Sequence, residues 1–172
     1  QGAGLTAAPA STDRDDDSHG DEVVSGGVSD PRLMPTAVVA DPELYATTPA
    51  SVLAGSAMNG FDKGIETLYA RSKTPITDAT ATRGLGLLAE GLETLGAGGP
   101  DGTTYQRLTQ GTFLVQYGIS RPDDTTLSMI HALGHGLTRT YDVQQGAAHA
   151  VVAPHAVADL FDAVDGRRDL LA

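Results

Sequence analysis

A leucine stripe in the middle of the chain constrains its fold class most. Leu85, Leu88, Leu92 and Leu95 recur every three or four residues, and glycines and a proline follow at 96–100. This spacing places the leucines on one face of a helix, which is predicted to run from Thr77 to Leu95 with that face in the core. Similar patterns predict helices at 49–57, 60–71, 103–117, 124–137 and from Gly146, the last with Ala150, Val151, Val157, Ala158 and Phe161 inward. The fold class is therefore predicted to be mainly α, with one helical body.

The N-terminal part lacks this pattern. Residues 1–30 are rich in Gly, Ala, Ser, Thr and Asp and have few large apolar side chains. They cannot bury enough surface to offset the entropy lost on ordering, so they are predicted to form an acidic flexible linker. Residues 37–40, between Pro35 and Pro42, are predicted to be a short buried strand. Residues 31–172 are predicted to make one all-α domain.

Acidic residues outnumber basic residues twofold. The 172-residue chain has 22 Asp and Glu against 11 Lys and Arg, a net charge of -11, and 40% hydrophobic residues. The apolar content suffices for one packed core, and the negative field repels phosphate backbones and anionic lipid headgroups. We therefore expect no nucleic acid and no membrane partner, adaptation to concentrated salt, and a cytoplasmic location, since no apolar run reaches about 18 residues and no secretion signal is visible.

Two histidines are the main candidates for reactive side chains. His131 and His135 lie one helical turn apart, while the chain contains no cysteine and no serine in a nucleophile-elbow setting. Imidazoles are general acids and bases and also metal ligands, so any reaction is expected near this pair.

Several motifs, in order, resemble the iron-containing alcohol dehydrogenases, above all their maleylacetate-reductase-like branch. They are Ser29-Asp-Pro-Arg-Leu-Met-Pro35, Ala37-Val-Val-Ala-Asp-Pro-Glu-Leu44, the Ser56 to Tyr69 segment Ser-Ala-Met-Asn-Gly-Phe-Asp-Lys-Gly-Ile-Glu-Thr-Leu-Tyr, Ile130-His131, and Gly146-Ala-Ala-His-Ala-Val-Val-Ala-Pro-His155. The resemblance covers roughly residues 26–161. It implies the helical domain of the dehydroquinate-synthase-like fold. It also implies that the α/β domain that binds NAD or NADP is largely absent from this chain, which is expected to be truncated at its C-terminus and inactive alone.

The resemblance also implies four metal-ligand positions, which fall on Asn59, Lys63, His131 and Gln145. We expect the helices that carry them to converge on one cleft. The site is degenerate, because an ammonium has no lone pair and an amide oxygen is a poor ligand for divalent iron or zinc, so Asn59 and His131 are the remaining candidate ligands. His149, one turn beyond Gln145, is a possible substitute.

These positions suggest a reaction without a metal. In one interpretation Lys63 replaces the ion and stabilises the negative charge on a substrate oxygen, while His135 relays a proton. In another, the site has decayed and Lys63 lies in solvent beside Asp62 and Glu66. The leading interpretation is part of an NAD(P)-dependent alcohol dehydrogenase or carbonyl reductase acting on a small alcohol, aldehyde or ketone, with a homodimer possible. The alternatives are a catalytically inactive all-α interaction domain and a glycerol-dehydrogenase-like zinc enzyme.

Overall fold

The computed structural model describes residues 30–33, 35–119, 127–164 and 167–171. The chain divides into two units, residues 1–39 and 40–172. The predicted linker at 1–30 lies almost wholly outside the described residues, so its boundary stays a prediction. Of the first unit, the described part contains a 3-10 turn at Pro31–Leu33, in which Arg32 forms an ion pair with Asp30 at 2.8 Å.

The second unit is a bundle of α-helices. Their bounds are α1 Pro42–Tyr45, α2 Ala50–Tyr69, α3 Pro75–Gly96, α4 Gly102–Ile119, α5 Met129–Tyr141 and α6 Gln145–Ala163, followed by a 3-10 turn at Arg168–Leu170. No strand occurs in the described ranges. The predicted mainly α fold is confirmed, and none of these helices is long and apolar enough to cross a membrane.

The predicted strand at 37–40 is wrong. These residues have no regular structure, and Val38 and Val39 are 62% and 93% exposed. A strand needs a neighbouring strand to satisfy its backbone groups, and the described part of the chain offers none. An apolar run bounded by prolines therefore does not by itself make a strand.

The two helices predicted at 49–57 and 60–71 are one helix, α2. Nothing between Ala57 and Gly60 breaks it, and Gly60 is buried within the helix, against Leu88 and Val115. Its N-terminal cap residue is Pro49. Helix α2 is the centre of the bundle, because residues 62–68 are all buried and a helix buried on every side must have neighbours all round it.

Helices α3 and α4 cover one side of α2 and agree with prediction. Thr74 begins α3 with a reciprocal capping box to Thr77, and Leu85, Leu88 and Leu95 are buried. Leu108 and Val115 of α4 pack against the same core. These contacts cover the side of α2 that faces away from α5 and α6.

Helices α5 and α6 cover the other side. Helix α5 extends to Tyr141, beyond the predicted end at 137, and its predicted start at 124 lies outside the described residues. The predicted inward face of α6 is largely wrong, because Ala150, Val151 and Ala158 are exposed, while Val157 and Phe161 are half-buried. The buried face instead carries small residues and one histidine, namely Gly146, Ala148, His149, Ala153 and Ala156.

The contact between α2 and α6 explains why that face is small. A Cβ atom built on Gly146 would collide with the backbone of Gly55, including its carbonyl oxygen. The two helix backbones therefore touch at these glycines, and larger side chains cannot fit between them. This approach brings the next turn of α6, with His149, onto the polar face of α2.

Candidate functional site

Helix α2 presents three buried charged side chains on adjacent positions of one face. Asp62, Lys63 and Glu66 are 0%, 5% and 4% exposed. A rotation of about 100° per residue places all three within one sector of the helix, together with Asn59. The interpretation of Lys63 as a solvated residue beside two surface acids is therefore wrong, because α2 is enclosed at this level.

Glu66 joins α2 to the first turn of α5. Its carboxylate accepts hydrogen bonds from the backbone N–H groups of Ser128, Ile130 and His131 at 2.9, 2.8 and 3.2 Å. It also contacts Nδ1 of His131 at 2.8 Å. The Ser128 side chain does not cap α5, so Glu66 satisfies the free donors of that helix from a neighbouring helix.

These contacts set the charge of Glu66. Burial alone raises the pKa of a carboxyl group, but the hydrogen bond and charge of His131 and the backbone donors outweigh it, so the pKa of Glu66 is lowered. Glu66 is therefore an ionised carboxylate in the interior of the bundle.

Asp62 contacts α6 in the same way but less completely. Its Oδ2 atom lies 2.8 Å from Nδ1 of His149, and both side chains are fully buried. The two groups are not aligned as a hydrogen bond, and neither oxygen of Asp62 has a hydrogen-bond partner among the described residues. Burial is the dominant influence and raises the pKa of Asp62, against the opposing effect of the two histidines.

The two histidines meet between α5 and α6. The ring centroids of His131 and His149 are 4.5 Å apart at an interplanar angle of 72°. Gly134 makes room for this contact, since a Cβ atom there would overlap the His149 ring. Asp62, Glu66, His131 and His149 are called the histidine–carboxylate cluster below. It joins α2, α5 and α6.

Lys63 is buried without a counter-ion. No hydrogen bond or ion pair of its ammonium group occurs among the residues that the structure describes. Burial lowers the pKa of Lys63.

The remaining predicted residues lie nearer the surface. His135 is exposed on α5, and its Nε2 atom is 3.5 Å from the Gln145 amide nitrogen, at the limit of a hydrogen bond. Partial desolvation, followed by the electrostatic influence of His131, Arg139 and His149, lowers the pKa of His135. Asn59 is half-buried. No hydrogen bond or ion pair joins Asn59, Lys63, His131 and Gln145 to one another in the described ranges.

The donor atoms present do not fit a metal ion. Lys63 and Gln145 cannot act as good ligands, and within the described residues no three His, Cys, Asp or Glu side chains are arranged to hold one. Nε2 of His131, both ring nitrogens of His149 and both oxygens of Asp62 are buried without hydrogen-bond partners among the described residues. These three side chains do not form a group that could hold an ion, and they fall short of the four ligands that zinc requires.

Sequence reasoning missed two parts of the site. Glu66 and Asp62 were considered only as partners of Lys63, although Glu66 belongs to the segment that carries the resemblance. The available signal was a pair of acids one turn apart in α2, together with a histidine in the first turn of α5. His149, proposed as a substitute for Gln145, does lie beside His131.

Comparison with known proteins finds similar sequences among dehydrogenases and reductases. The chain is 28% identical over 131 residues to NAD-dependent methanol dehydrogenase of Bacillus methanolicus, covering 76% of this chain and 34% of that protein. It is 29% identical over 140 residues to maleylacetate reductase of Pseudomonas aeruginosa, covering 79% and 39%. The chain thus spans little more than a third of the length of these relatives.

Solved structures and a family model agree with these relatives. A Ralstonia eutropha JMP134 protein described as an alcohol dehydrogenase superposes with a TM-score of 0.70 at 28% identity, covering 78% of this chain and 37% of that chain. A 1,3-propanediol oxidoreductase gives a TM-score of 0.64 at 26% identity, covering 72% and 31%. Residues 50–171 match the model of the C-terminal part of the Fe-containing alcohol dehydrogenase family. The resemblance seen in the sequence is therefore confirmed, and the chain belongs to the iron-containing alcohol dehydrogenase family.

Proposed function

We propose that this chain is the helical domain of an NAD(P)-dependent oxidoreductase in which Lys63, rather than a metal ion, stabilises the oxygen of a carbonyl or alcohol substrate. The observation that carries the proposal is Lys63, a residue only 5% exposed whose ammonium group has no counter-ion in the described structure. A charged group out of water needs a compensating charge. A substrate oxygen that becomes negative during the reaction supplies that charge.

The residues act as follows in carbonyl reduction. A nicotinamide cofactor, bound mainly by a separate domain, supplies the hydride when it is present. The Lys63 ammonium donates a hydrogen bond to the substrate oxygen as negative charge develops there, and the low dielectric around Lys63 strengthens this interaction. The fixed position of α2 orients the ammonium group before the reaction begins.

His135 exchanges the proton with solvent. It is exposed on α5, and its lowered pKa keeps the imidazole neutral near neutral pH. A neutral imidazole accepts the alcohol proton in the oxidation direction and relays it to water. His131, held by Glu66, stays in the interior one turn away.

The test uses the two lysines of the chain in the intact protein. Lys63→Met keeps an apolar stem but removes the charge, and we expect kcat to fall about 10²–10³-fold, as for other removed oxyanion donors. Lys73→Met is the matched control, since Lys73 is exposed on a turn, and its activity should be unchanged. EDTA should leave wild-type activity intact. Loss of activity on chelation, or an active Lys63→Met protein, would refute the role of Lys63.

The finer features of this function remain predictions. The relatives include a methanol dehydrogenase, 1,3-propanediol dehydrogenases and maleylacetate reductases at similar identity, so a small alcohol, aldehyde or ketone is the proposed substrate class. The same proposal includes NAD or NADP as the cofactor, a homodimer as the possible assembly and the cytoplasm as the location. The alternative of an inactive interaction domain predicts no NAD(P)H oxidation by the intact protein with any of these compounds, and the zinc alternative predicts bound zinc.

A further inference from the structure

We infer that the histidine–carboxylate cluster holds α5 and α6 on α2 in place of a metal ion, so that the domain is stably folded without one. The inference concerns stability and metal content. It shares with the proposed function the absence of a metal ion, so a bound metal would contradict both. Unchanged hydrogen exchange in a Glu66 variant would contradict this inference alone, and a fully active Lys63→Met protein would contradict the proposed function alone.

The contacts of the cluster connect the three helices in pairs. Glu66 joins α2 to α5 through three backbone N–H groups and the His131 ring. Asp62 joins α2 to α6 through His149, and the two imidazole rings join α5 to α6. An ion bound by side chains of several helices would make these same three connections.

Glu66 is the main connection to α5. Few apolar residues of α5 are buried, Ile130 being the one in the core, and the other buried positions are His131 and Gly134. A buried charged hydrogen bond is stronger than a neutral one, and Glu66 accepts four of these contacts at the start of the helix. The position of α5 therefore depends on this carboxylate more than on apolar packing.

Carboxylates that orient imidazoles also surround many metal sites. This cluster differs from such metal sites because, among the described residues, no three His, Cys, Asp or Glu side chains are arranged to hold an ion. The buried atoms without a partner that an ion could use are Nε2 of His131, the ring nitrogens of His149 and the oxygens of Asp62, so metal content is the direct test.

The first experiment measures metal in the wild-type protein. Elemental analysis of the intact protein, purified without chelators, should find far less than one iron or zinc per chain. A ligand that binds the native state raises its stability, so a bound metal would make the Tm depend on metal and chelator. Without a bound metal, EDTA or added Zn²⁺ should shift the Tm by less than about 1 °C. A near-stoichiometric metal, or a Tm that falls on chelation, overturns the inference.

The second experiment removes the charge of Glu66. In Glu66→Gln, amide hydrogen exchange at 129–131 should accelerate about tenfold or more, with a lower Tm, because the α5 donors lose their ionised acceptor. The matched control is Glu90→Gln, at an exposed acid paired with Arg107 on the surface of α3, where exchange in α5 should not change. Unchanged exchange at 129–131 in Glu66→Gln overturns the inference as well.

Discussion

At the scale of single residues, environment rather than residue type determines charge. Asp62 and Glu66 lie one turn apart on α2 with equal burial and one histidine contact each. The backbone donors of α5 lower the pKa of Glu66, whereas Asp62 has no such donors and burial raises its pKa. Sequence spacing could predict that both carboxylates share a face. It could not predict which one meets the start of a helix, because that depends on the placement of α5.

Lys63 gives a prediction about stability at the same scale. The Lys63 side chain is buried and its ammonium group has no partner among the described residues, so removing its charge should stabilise the fold even if activity is lost. We expect Lys63→Met to raise the unfolding free energy by about 1 kcal/mol or more, and the Tm by roughly 2–4 °C. Differential scanning calorimetry of both proteins measures this.

The control for this prediction is Lys63→Arg. It keeps a charge in the same place and should not be more stable than the wild type. A Lys63→Met protein that unfolds at a lower temperature than the wild type would mean that the ammonium group is satisfied in the native state.

At the scale of helices, sequence patterns predicted where a helix occurs better than they predicted which of its faces is buried. The leucine stripe located α3 to within two residues at its start and one at its end, where the glycine cluster marks the stop. The Thr74 cap was not predicted. The inward face of α6 was missed, since its buried positions are Gly, Ala and His, and the larger Val151 faces outward. Hydrophobic periodicity identifies a buried face only when that face carries large apolar residues. A glycine contact between two backbones leaves no such signal.

The glycine contact supplies the prediction at this scale. Gly146→Ala should lower the unfolding free energy by about 1–3 kcal/mol, because its Cβ atom meets the Gly55 backbone, which cannot move aside as a side chain can. The accelerated exchange that follows should be confined to α6 and the facing part of α2. Chemical denaturation with hydrogen exchange measures both.

Gly86→Ala is the matched control for that change. Gly86 is exposed in the middle of α3, with nothing within 4 Å of an added Cβ atom. Alanine should therefore stabilise this helix by about 0.5–1 kcal/mol. If both alanine variants changed stability in the same direction, the close approach of α2 and α6 would not be the cause.

At the scale of the whole molecule, the family match establishes the fold, whereas the residues at the ligand positions determine whether a metal ion can bind. The family match over residues 50–171 and the similar solved structures establish the helical fold. They do so although Lys63 and Gln145 stand at two of the four implied ligand positions. The core positions that determine the bundle are thus independent of the positions that would bind an ion. A fold can be inherited while its metal chemistry changes.

Net charge leads to the last prediction, on salt. A charge of -11 on 172 residues makes the folded chain repel itself, since folding brings the acidic side chains closer together. Raising NaCl from about 0.05 M to about 0.5 M shortens the screening length to roughly 4 Å, and the Tm should rise by several degrees and then level off. KCl should act equally, because screening depends on ionic strength and not on the ion. A rise that continues linearly into molar salt and differs between salts would indicate general salting-out of apolar surface, and a constant Tm would mean that self-repulsion does not limit this fold.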